Sequence, residues 1–294
     1  MSVPDARAIE RALAAGGHGG VAVHAFEELA STNAWLVARA PGADPGPALC
    51  VAHAQVRGAG RRGRTWSSRP GDVTFSVRRR FDSAPARVAP LGLVTGVAVA
   101  RALRASTAME VELKWPNDLL LGGSKLGGLL IESRPATRPG APSGASGTVA
   151  VGGVGINLIG PGERPDGTRV AALGDHGIAP ESRDGLVADI AAGVLDAWTR
   201  FDGGGWSVFE EDWRALDALE GRAVRVHAGV LPGRAGGGEG APGGDAPGDG
   251  SDDGPDRFDG IARGVDGGGA LRVERADGRT VTVHAGEVSV RPRA

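Results

Sequence analysis

Short stretches that are apolar, or that alternate between apolar and polar residues, predict β-strands in the first half of the chain. These stretches are Val21 to Phe26, Leu49 to Val56, Val73 to Val77 and Val111 to Lys114. A helix is predicted over 5–15, and apolar residues at helical spacing predict two more over 89–104 and 186–201. The pattern therefore predicts a region in which strands and helices follow one another.

The middle of the chain predicts a hairpin. Gly122-Gly123 lies between two apolar runs, and such a pair favours a two-residue turn, with a partner strand over Lys125 to Glu132. The segment 134–147 is rich in Pro, Ser and Gly and is predicted as a loose connection to a strand at Val149 to Val151. Further on, Ser207 to Glu210 fits a capping box, which predicts the start of a helix.

Five short apolar stretches after Gly221 predict a small β-barrel within about 70 residues. They are interrupted by 233–257, which holds ten glycines, three prolines and six acidic residues. Such a segment has nothing large to bury, so it predicts a disordered surface loop. The predicted organisation is a short N-terminal segment (1–20), a catalytic domain (21–217) and a C-terminal domain (218–294).

Composition narrows the class of protein. The formal net charge is −2, which gives no general attraction to nucleic acid or to acidic membranes. The single cysteine, Cys50, excludes a disulfide framework and lies in an apolar run that predicts a buried thiol. Met1 to Glu10 lacks the apolar core of a signal peptide, and no apolar run reaches about 18 residues. We therefore expect a cytoplasmic protein without a membrane span.

The basic residues are almost all arginine. Only two of the 33 basic residues are lysines, Lys114 and Lys125, and they lie eleven positions apart. A composition bias explains the scarcity of lysine, but it also makes these two positions informative. A site that needs a compact ammonium group would keep lysine there, because a guanidinium fork does not supply one.

The segment 55–66, QVRGAGRRGRTW, combines three glycines with four arginines. Glycine lets the backbone approach a ligand closely, and arginine binds carboxylates and phosphates through paired N–H groups. The segment therefore predicts a loop that folds over an anion. Its glycines also match the dinucleotide-binding pattern G-x-G-x-x-G, which requires a helix directly afterwards. Thr65 to Ser68 and Pro70-Gly71 predict no helix, so that fold is rejected.

A nucleic-acid surface is the other interpretation of these arginines, which Arg78 to Arg80 would extend. Only one aromatic residue, Trp66, is interleaved with them, and the net charge is negative. About 20 residues precede the first predicted strand, which is too few for a helix-turn-helix domain. We therefore expect no nucleic-acid partner.

A polar triplet, Ser31-Thr32-Asn33, precedes the apolar run Ala34 to Ala38 and predicts a helix N-terminus. Capping of the helix is one interpretation, and the pattern alone favours it. In the other, the same hydroxyls and amide face a ligand, because a helix N-terminus favours anionic or polar groups.

Five motifs in one order resemble those of biotin protein ligases, and they span residues 21–158. They are GAGRRGRTW at 58–66, similar to the family's GRGRxGRxW; KWPND at 114–118; KLGGLLIE at 125–132, similar to KLxGILxE; GVGIN at 153–157, which matches GxGIN; and STN at 31–33. The β-rich C-terminal region also resembles the family's small SH3-like domain. Together the motifs are far more specific than any one of them alone.

The resemblance implies an α/β fold, with a mixed sheet backed by helices as in class II synthetases, and a small C-terminal SH3-like β-barrel. It also implies the chemistry. Family members activate the carboxylate of biotin with ATP, which gives biotinyl-5′-AMP and pyrophosphate, and then transfer biotin to one lysine of a biotin carboxyl carrier protein. Mg²⁺ is implied with ATP, held mostly by the phosphates. A flexible glycine loop closes over the adenylate and excludes water.

The family's residue roles are carried over to the matching positions. Lys114 and Arg61 are the implied catalytic residues: Lys114 bridges the carboxylate and the α-phosphate, and Arg61 and Arg64 hold phosphate oxygens. The implied biotin-binding residues are Ser31, Thr32, Asn33, Gln55, Gly58, Ala59, Gly60, Arg61, Lys114, Gly127 and Gly128. The implied ATP- and adenylate-binding residues are Arg61, Arg64, Trp66, Lys125 and Asn157. No side chain is implied as a metal ligand.

One position departs from the family's pattern, because Ala59 stands where arginine is common. A backbone contact survives this change, but a side-chain cation does not. Either the adenylate is held more weakly, or Arg57 or Arg62 supplies the charge. Two other functions stay open, a lipoate or octanoate ligase of the related fold and a biotin-sensing regulator. The resemblance favours the biotin ligase over both, and it leaves room for a homodimer.

Overall fold

The computed structural model describes residues 3–40, 46–137, 146–160, 170–228, 257–285 and 288–292. The chain divides into two compact units, Met1–Ala218 and Leu219–Ala294. Within the described residues, the first unit contains a seven-stranded sheet and five α-helices, and the second contains a five-stranded sheet. The predicted α/β class, a helix-backed mixed sheet followed by a β-rich domain, is confirmed.

The sheet of the first unit is mixed. Its strands are β1 (Ala22–Leu29), β2 (Ala48–Gln55), β3 (Val73–Phe81), β4 (Val111–Lys114), β5 (Asp118–Leu121), β6 (Ser124–Thr137) and β7 (Ser146–Ile156). Their order across the sheet is β1-β2-β3-β7-β6-β5-β4, in which β1 and β2 are parallel and every other pair is antiparallel. The helices are α1 (Ala6–Ala15), α2 (Thr32–Ala38), α3 (Leu91–Thr107), α4 (Arg183–Gly204) and α5 (Glu210–Leu216).

The two faces of this sheet have different coverings. Helices α3 and α4 pack together, and on their face the ring of Phe81 contacts that of Trp198 from α4. Helix α2 packs against β2, β3 and β7 on the other face. There a buried cluster is formed by Leu36, Val37, Ala48, Cys50 and Val151. Cys50 is buried as predicted, and burial raises the pKa of its thiol to about 12.

Helix α3 is a core helix. Among the described residues, the segment Pro85–Thr107 alone is long and apolar enough to cross a membrane by length and composition. Its most apolar window is 67% buried, and the helix packs between α4 and the strands β4 and β6. Because core helices pass the same test, this segment is weak evidence for a membrane span. The helix predicted over 89–104 corresponds to α3.

Three local predictions need correction. The segment 134–147 was expected to be loose, but β6 continues to Thr137 and β7 begins at Ser146, because the two strands stay paired to that point; residues 138–145 lie outside the described residues. The strand predicted at Val149 to Val151 continues through Gly152, Gly153 and Gly155, since pairing with β3 and β6 supports them on both sides. The capping box is wrong: the Ser207 hydroxyl donates to the Gly204 carbonyl, and Phe209 precedes α5 without a side-chain cap.

The second unit is an antiparallel sheet of five strands among the described residues, as the alternation predicted. They are β8 (Ala223–Ala228), β9 (Arg257–Val265), β10 (Leu271–Glu274), β11 (Thr280–Val283) and β12 (Val288–Pro292), in the order β11-β10-β9-β8-β12. The predicted disordered loop 233–257 lies outside the described residues except for Arg257, which begins β9.

Candidate active site

The triplet 31–33 opens α2, and its three side chains have different roles. The Ser31 hydroxyl accepts a hydrogen bond from the Ala34 N–H at 3.4 Å, so Ser31 caps the helix. Thr32 and Asn33 already belong to the helix, and both side chains are buried against the sheet. The capping interpretation is therefore right for Ser31, while the two following side chains are free to bind elsewhere.

Thr32 and Asn33 join a buried polar network that reaches three strands. The Thr32 N–H donates to Gln55 Oε1 at 2.8 Å, and the Thr32 hydroxyl lies 2.8 Å from that of Ser76 in β3. Ser76 Oγ donates to Asn33 Oδ1 at 2.8 Å, and Asn33 Nδ2 donates to Glu132 Oε2 in β6 at 2.7 Å. The network places Thr32, Asn33 and Gln55, all predicted to bind biotin, at one point on the sheet.

The loop 58–66 is folded as a small hairpin. The Trp66 N–H donates to the Gly58 carbonyl at 2.8 Å, and the Gly60 N–H donates to the Arg64 carbonyl at 2.7 Å. At its tip Arg62 and Gly63 both have positive φ, 60° and 67°, which favours glycine at position 63. Gly58 is required for another reason, since a Cβ there would collide with the Trp66 carbonyl. Within this described loop the only helical geometry is a single 3₁₀ turn at Arg61–Gly63.

Trp66 closes the hairpin and lies on two glycines of the sheet. A Cβ at Gly155 would lie 2.5 Å from Trp66 Cε2, and one at Gly128 would lie 3.3 Å from its Cζ3. These glycines, paired with each other across β6 and β7, leave the indole room to lie against the backbone. Its Nε1–H is buried and has no hydrogen-bond partner among the described residues. A donor in this state fits a site whose acceptor belongs to a ligand.

The two lysines meet at one carboxylate. Lys125 Nζ forms a short ion pair with Asp118 Oδ1, and Lys114 Nζ lies 3.9 Å from Asp118 Oδ2. The side chains of Lys114, Asp118 and Lys125 are 21%, 22% and 27% exposed. Lys125 Nζ also lies 5.8 Å from the centre of the Trp66 ring. Lys114 and Lys125, the two lysines of the sequence, therefore lie together in the structure.

Arg61 extends this cationic cluster from the loop side. Its Nη1 donates to Asn117 Oδ1 at 3.2 Å, and Asn117 is held in turn by its Nδ2, which donates to the Leu129 carbonyl at 2.7 Å. Burial lowers the pKa of the Arg61 guanidinium, and neighbouring Arg62 and Arg64 lower it further, although it stays charged. A half-buried guanidinium beside two ammonium groups makes a strongly anion-attracting surface.

The polar network and the cationic cluster share one face of β7. Asn33 lies on Gly153, where a Cβ would approach its Oδ1 to 2.6 Å, and Trp66 lies on Gly155. Residues two apart on a strand point to the same face and are about 7 Å apart. A ligand lying along this face would therefore have the polar network at one end and the cations at the other.

Other predicted site residues have different surroundings. The Asn157 side chain is buried, and its Nδ2 donates to the Ala171 carbonyl at 2.9 Å, so it fixes the chain that follows β7. A Cβ at Gly127 would lie 2.5 Å from the Gly155 carbonyl, so strand packing already requires glycine there. Arg64 and Ala59 are exposed on the loop, and the structure gives the Arg64 side chain no ion pair with a described residue. Gly58 and Gly60 form the hairpin itself.

Sequence reasoning missed four residues that the geometry makes prominent. Ser76 lies between the apolar residues of β3, so the alternation that predicted this strand already placed its hydroxyl on the face opposite Phe75 and Val77, which is the face that α2 covers in the structure. Glu132, Asn117 and Asp118 were part of matched motifs but were given no role. Their partners lie 12 to 99 positions away in the chain or across a turn, so no local pattern reveals the contacts.

Comparison with known proteins identifies the family. Residues 30–142 match the model of the Biotin/lipoate A/B protein ligase family, and residues 255–291 match the Biotin protein ligase C terminal domain. The biotin–[acetyl-CoA-carboxylase] ligase of Mycobacterium tuberculosis is 31% identical, with 97% of this chain and 94% of that protein covered. The chain belongs to the biotin protein ligase family. The Paracoccus denitrificans ligase of the same name is 32% identical over 68% of this chain and 82% of its own length.

Solved structures of biotin protein ligases share the fold. The Aquifex aeolicus biotin protein ligase in complex with biotin and ATP superposes with a TM-score of 0.65 at 20% identity, covering 93% of this chain and 99% of that one. At this identity the likeness concerns the fold alone. The two family models and the Mycobacterium tuberculosis relative, which covers 97% of this chain, agree on one family for both units of the chain.

Proposed function

We propose that this biotin protein ligase activates biotin with ATP and transfers it to a lysine of a biotin carboxyl carrier protein, using the face of β7 described above. The observation that carries the proposal is one face of β7 on which the Asn33 amide and the Trp66 indole lie against residues about 7 Å apart. The polar network surrounds Asn33, and the cationic cluster of Lys114, Lys125 and Arg61 lies on the side of the indole. Biotin has the matching polarity, because a neutral ureido ring and a carboxylate stand at its opposite ends.

The cationic cluster suits the first step. In that step a carboxylate oxygen forms a bond to the α-phosphorus, and the bond from that phosphorus to pyrophosphate breaks. Two like charges about 4 Å apart repel by about 4 kcal/mol at an effective dielectric of about 20, so cations must offset this repulsion. We assign Lys114 to bridge the carboxylate and the α-phosphate, and Arg61 and Arg64 to hold phosphate oxygens. Lys125, ion-paired beside Lys114 and near Trp66, would lie against the adenylate.

The loop suits the second requirement, which is to protect the product. Biotinyl-5′-AMP is a mixed anhydride that water hydrolyses, so the site must exclude water until the acceptor lysine arrives. The hairpin 58–66 places the Trp66 indole against Gly128 and Gly155, and its buried Nε1–H has no hydrogen-bond partner among the described residues. We assign this indole to cover the adenylate and to donate one hydrogen bond to it. In the transfer, the acceptor amine attacks the carbonyl carbon, AMP leaves, and the amine loses a proton.

Magnesium is proposed to enter with the nucleotide. Among the described residues no group of three or more His, Cys, Asp or Glu side chains could hold a metal ion. The carboxylate of the cationic cluster is that of Asp118, and it already forms ion pairs with Lys114 and Lys125. The residues present therefore fit a Mg²⁺ ion that is held chiefly by phosphate oxygens, where it would neutralise part of their charge.

The decisive experiment is mass spectrometry of a biotin carboxyl carrier domain incubated with biotin, MgATP and this protein. We expect the mass gain of one biotin on the acceptor lysine, and no gain would contradict the proposal. Lys114→Ala tests the assigned role: pyrophosphate release should be lost while circular dichroism and thermal unfolding show an intact fold. Unchanged pyrophosphate release in this variant would refute the bridging role of Lys114.

The related-fold alternative is a ligase for lipoate or octanoate. Those acids lack a ureido ring, so they would leave the network around Gln55 without a polar partner, which disfavours them. Competition between biotin and lipoate for binding separates the two functions. Cytoplasmic location and a homodimer remain proposals, which fractionation of cells and sedimentation of the purified protein would test.

A further inference from the structure

The hydrogen bonds between α2 and the sheet form one continuous chain whose direction can be assigned. Asn33 Nδ2 lies 2.7 Å from Glu132 Oε2 and 3.4 Å from the Leu130 carbonyl oxygen. An ionised carboxylate and a backbone carbonyl only accept, so Nδ2 must face them. Asn33 Oδ1 is then turned to Ser76, whose Oγ lies 2.8 Å away. The orientation of the Asn33 amide follows from its partners, as the assignment of any amide must.

The hydroxyl protons follow from this orientation. Ser76 has one hydroxyl proton, and it is used on Asn33 Oδ1, which can only accept. Ser76 Oγ must therefore receive the proton of Thr32 Oγ1, 2.8 Å away. If Thr32 donated to Gln55 Oε1 instead, at 3.2 Å, two hydroxyl oxygens would face each other at 2.8 Å without a proton between them. The chain therefore runs from Thr32 through Ser76 and Asn33 to Glu132.

The backbone of Thr32 carries this order to Gln55. The Thr32 N–H can only donate, and it lies 2.8 Å from Gln55 Oε1. The oxygen of the Gln55 amide is therefore turned towards α2, and its NH₂ group is turned away. No described residue accepts a hydrogen bond from this NH₂ group, and the Gln55 side chain is half-buried. The site thus offers a pair of N–H donors at the end of the polar network.

We propose that Ser76 and Glu132 are positioning residues, which lock the first turn of α2 onto the sheet so that Gln55 presents N–H donors to the ureido oxygen of biotin. The inference rests on the proposed function and deepens it. Ser76 is fully buried, so it acts through Thr32 and Asn33 rather than by touching the ligand. Helix α2 has only seven residues, and so short a helix depends on such tertiary bonds for its place.

A biotin analogue without the ureido oxygen provides the test. In 2-iminobiotin this oxygen is replaced by nitrogen, and the resulting guanidinium can only donate. The unaltered protein should bind biotin much more tightly than 2-iminobiotin, because both the guanidinium and the Gln55 NH₂ group are donors. In Ser76→Ala the first turn of α2 is released, the Gln55 amide can rotate, and its oxygen can accept from the guanidinium. The ratio of the two dissociation constants should therefore fall by about tenfold, which corresponds to about 1.4 kcal/mol.

Three further variants separate positioning from a general loss of stability. Glu132→Leu, at a half-buried position, should lower the ratio as Ser76→Ala does, and it serves if the buried serine variant fails to fold. Glu132→Gln keeps an oxygen that accepts from Asn33 and should restore the ratio to within about twofold. Thr74→Val is the matched control, because Thr74 is a buried hydroxyl on the same face of β3 that donates to the Ala52 carbonyl. It should lower stability and leave the ratio unchanged.

Isothermal titration with biotin, 2-iminobiotin and MgATP gives the readings. We expect the ratio to fall in Ser76→Ala and Glu132→Leu while the affinity for MgATP stays the same. Folded variants that weaken both ligands equally would overturn the positioning role, yet they would leave the proposed function intact if biotinyl-5′-AMP still forms. Failure of the unaltered protein to bind biotin would remove the proposed function together with this inference.

Discussion

The contact between Trp66 and Gly155 allows a quantitative test of how the loop is held on the sheet. In Gly155→Ala the added Cβ would lie 2.5 Å from Cε2 and 2.7 Å from Cζ2 and Nε1 of the indole. Non-bonded carbon atoms approach to about 3.5–4 Å at best. The ring must therefore retreat by about 1 Å. Because Gly155 is paired on both sides within the sheet, its backbone cannot yield, and the indole has to move.

The expected cost is that of overpacking a fitted contact, about 1–3 kcal/mol in the free energy of unfolding. In the proposed role of Trp66, the same displacement would also move the indole away from the adenylate. We expect biotinyl-5′-AMP to dissociate about tenfold faster, which corresponds to about 1.4 kcal/mol of lost contact. Urea unfolding measures the first effect, and release of radiolabelled adenylate from the purified complex measures the second.

A double-mutant cycle isolates the contact from other effects. In a Trp66→Ala background the added methyl group meets no indole, so Gly155→Ala should then cost little. We expect a coupling free energy of at least about 1 kcal/mol between the two positions. Independent sites deviate from additivity by only about 0.3–0.5 kcal/mol, so this coupling would be well above that range. Gly185→Ala is the matched glycine control, because an added Cβ there meets nothing within 4 Å. Strict additivity of Gly155→Ala and Trp66→Ala would refute the reasoning.

Two further predictions concern buried carboxylates. Asp118→Asn leaves the ammonium groups of Lys114 and Lys125 without the carboxylate between them, so it should destabilise the free protein by about 1–3 kcal/mol. Phosphates would replace the lost charge, so thermal unfolding should show a larger stabilisation by MgATP in the variant than in the unaltered protein; a smaller one would contradict the prediction. Asp72 accepts hydrogen bonds from three backbone N–H groups, yet burial raises its pKa. A raised folded-state pKa means that stability present below the unfolded value near about 4 is lost as the pH rises through the folded value. The free energy of unfolding of Asp72→Asn, relative to that of the unaltered protein, should therefore rise as the pH rises through this window. Urea unfolding at several pH values measures both. A relative stability of the variant that falls with pH would contradict the prediction.

The sequence allowed most strands and helices to be predicted because their signals are local. Gly122-Gly123 is a clear example, since both residues have positive φ and the turn joins β5 to β6 as expected. The end of β6 was missed because Pro135 suggests a break, whereas pairing with Thr148 of β7 carries the strand past it. The false capping box at Ser207 shows the same limit. Ser207 lies inside the 3₁₀ turn Trp206–Phe209 that leads into α5, so it does not stand at the position that caps this helix.

The site was predicted in part for the same physical reason. Motif matching found the lysines, the arginine loop and the triplet 31–33, because these residues carry their chemistry in a recognisable local pattern. It did not find that Asp118 joins the two lysines or that Ser76 joins Thr32 to Asn33. The contacts of Ser76 depend on the pairing order of the sheet, which places β3 beside β7 although they are far apart in the chain. The contacts of Asp118 depend on the antiparallel pairing of β4, β5 and β6, which brings both lysines to one side chain.

The glycines of β7 have a consequence for how the sheet assembles. A slip of one residue turns every side chain of a strand to the opposite face. Here a slip of one residue would turn the buried side chain of Val154 to the face on which Asn33 and Trp66 lie against glycines. Gly152, Gly153 and Gly155 leave room for Trp198, Asn33 and Trp66 respectively. All three glycines lie opposite these side chains in one register only. In a shifted register of β7, larger residues would clash with them. The same glycines therefore shape the ligand-binding face and fix the register of β7 in the sheet.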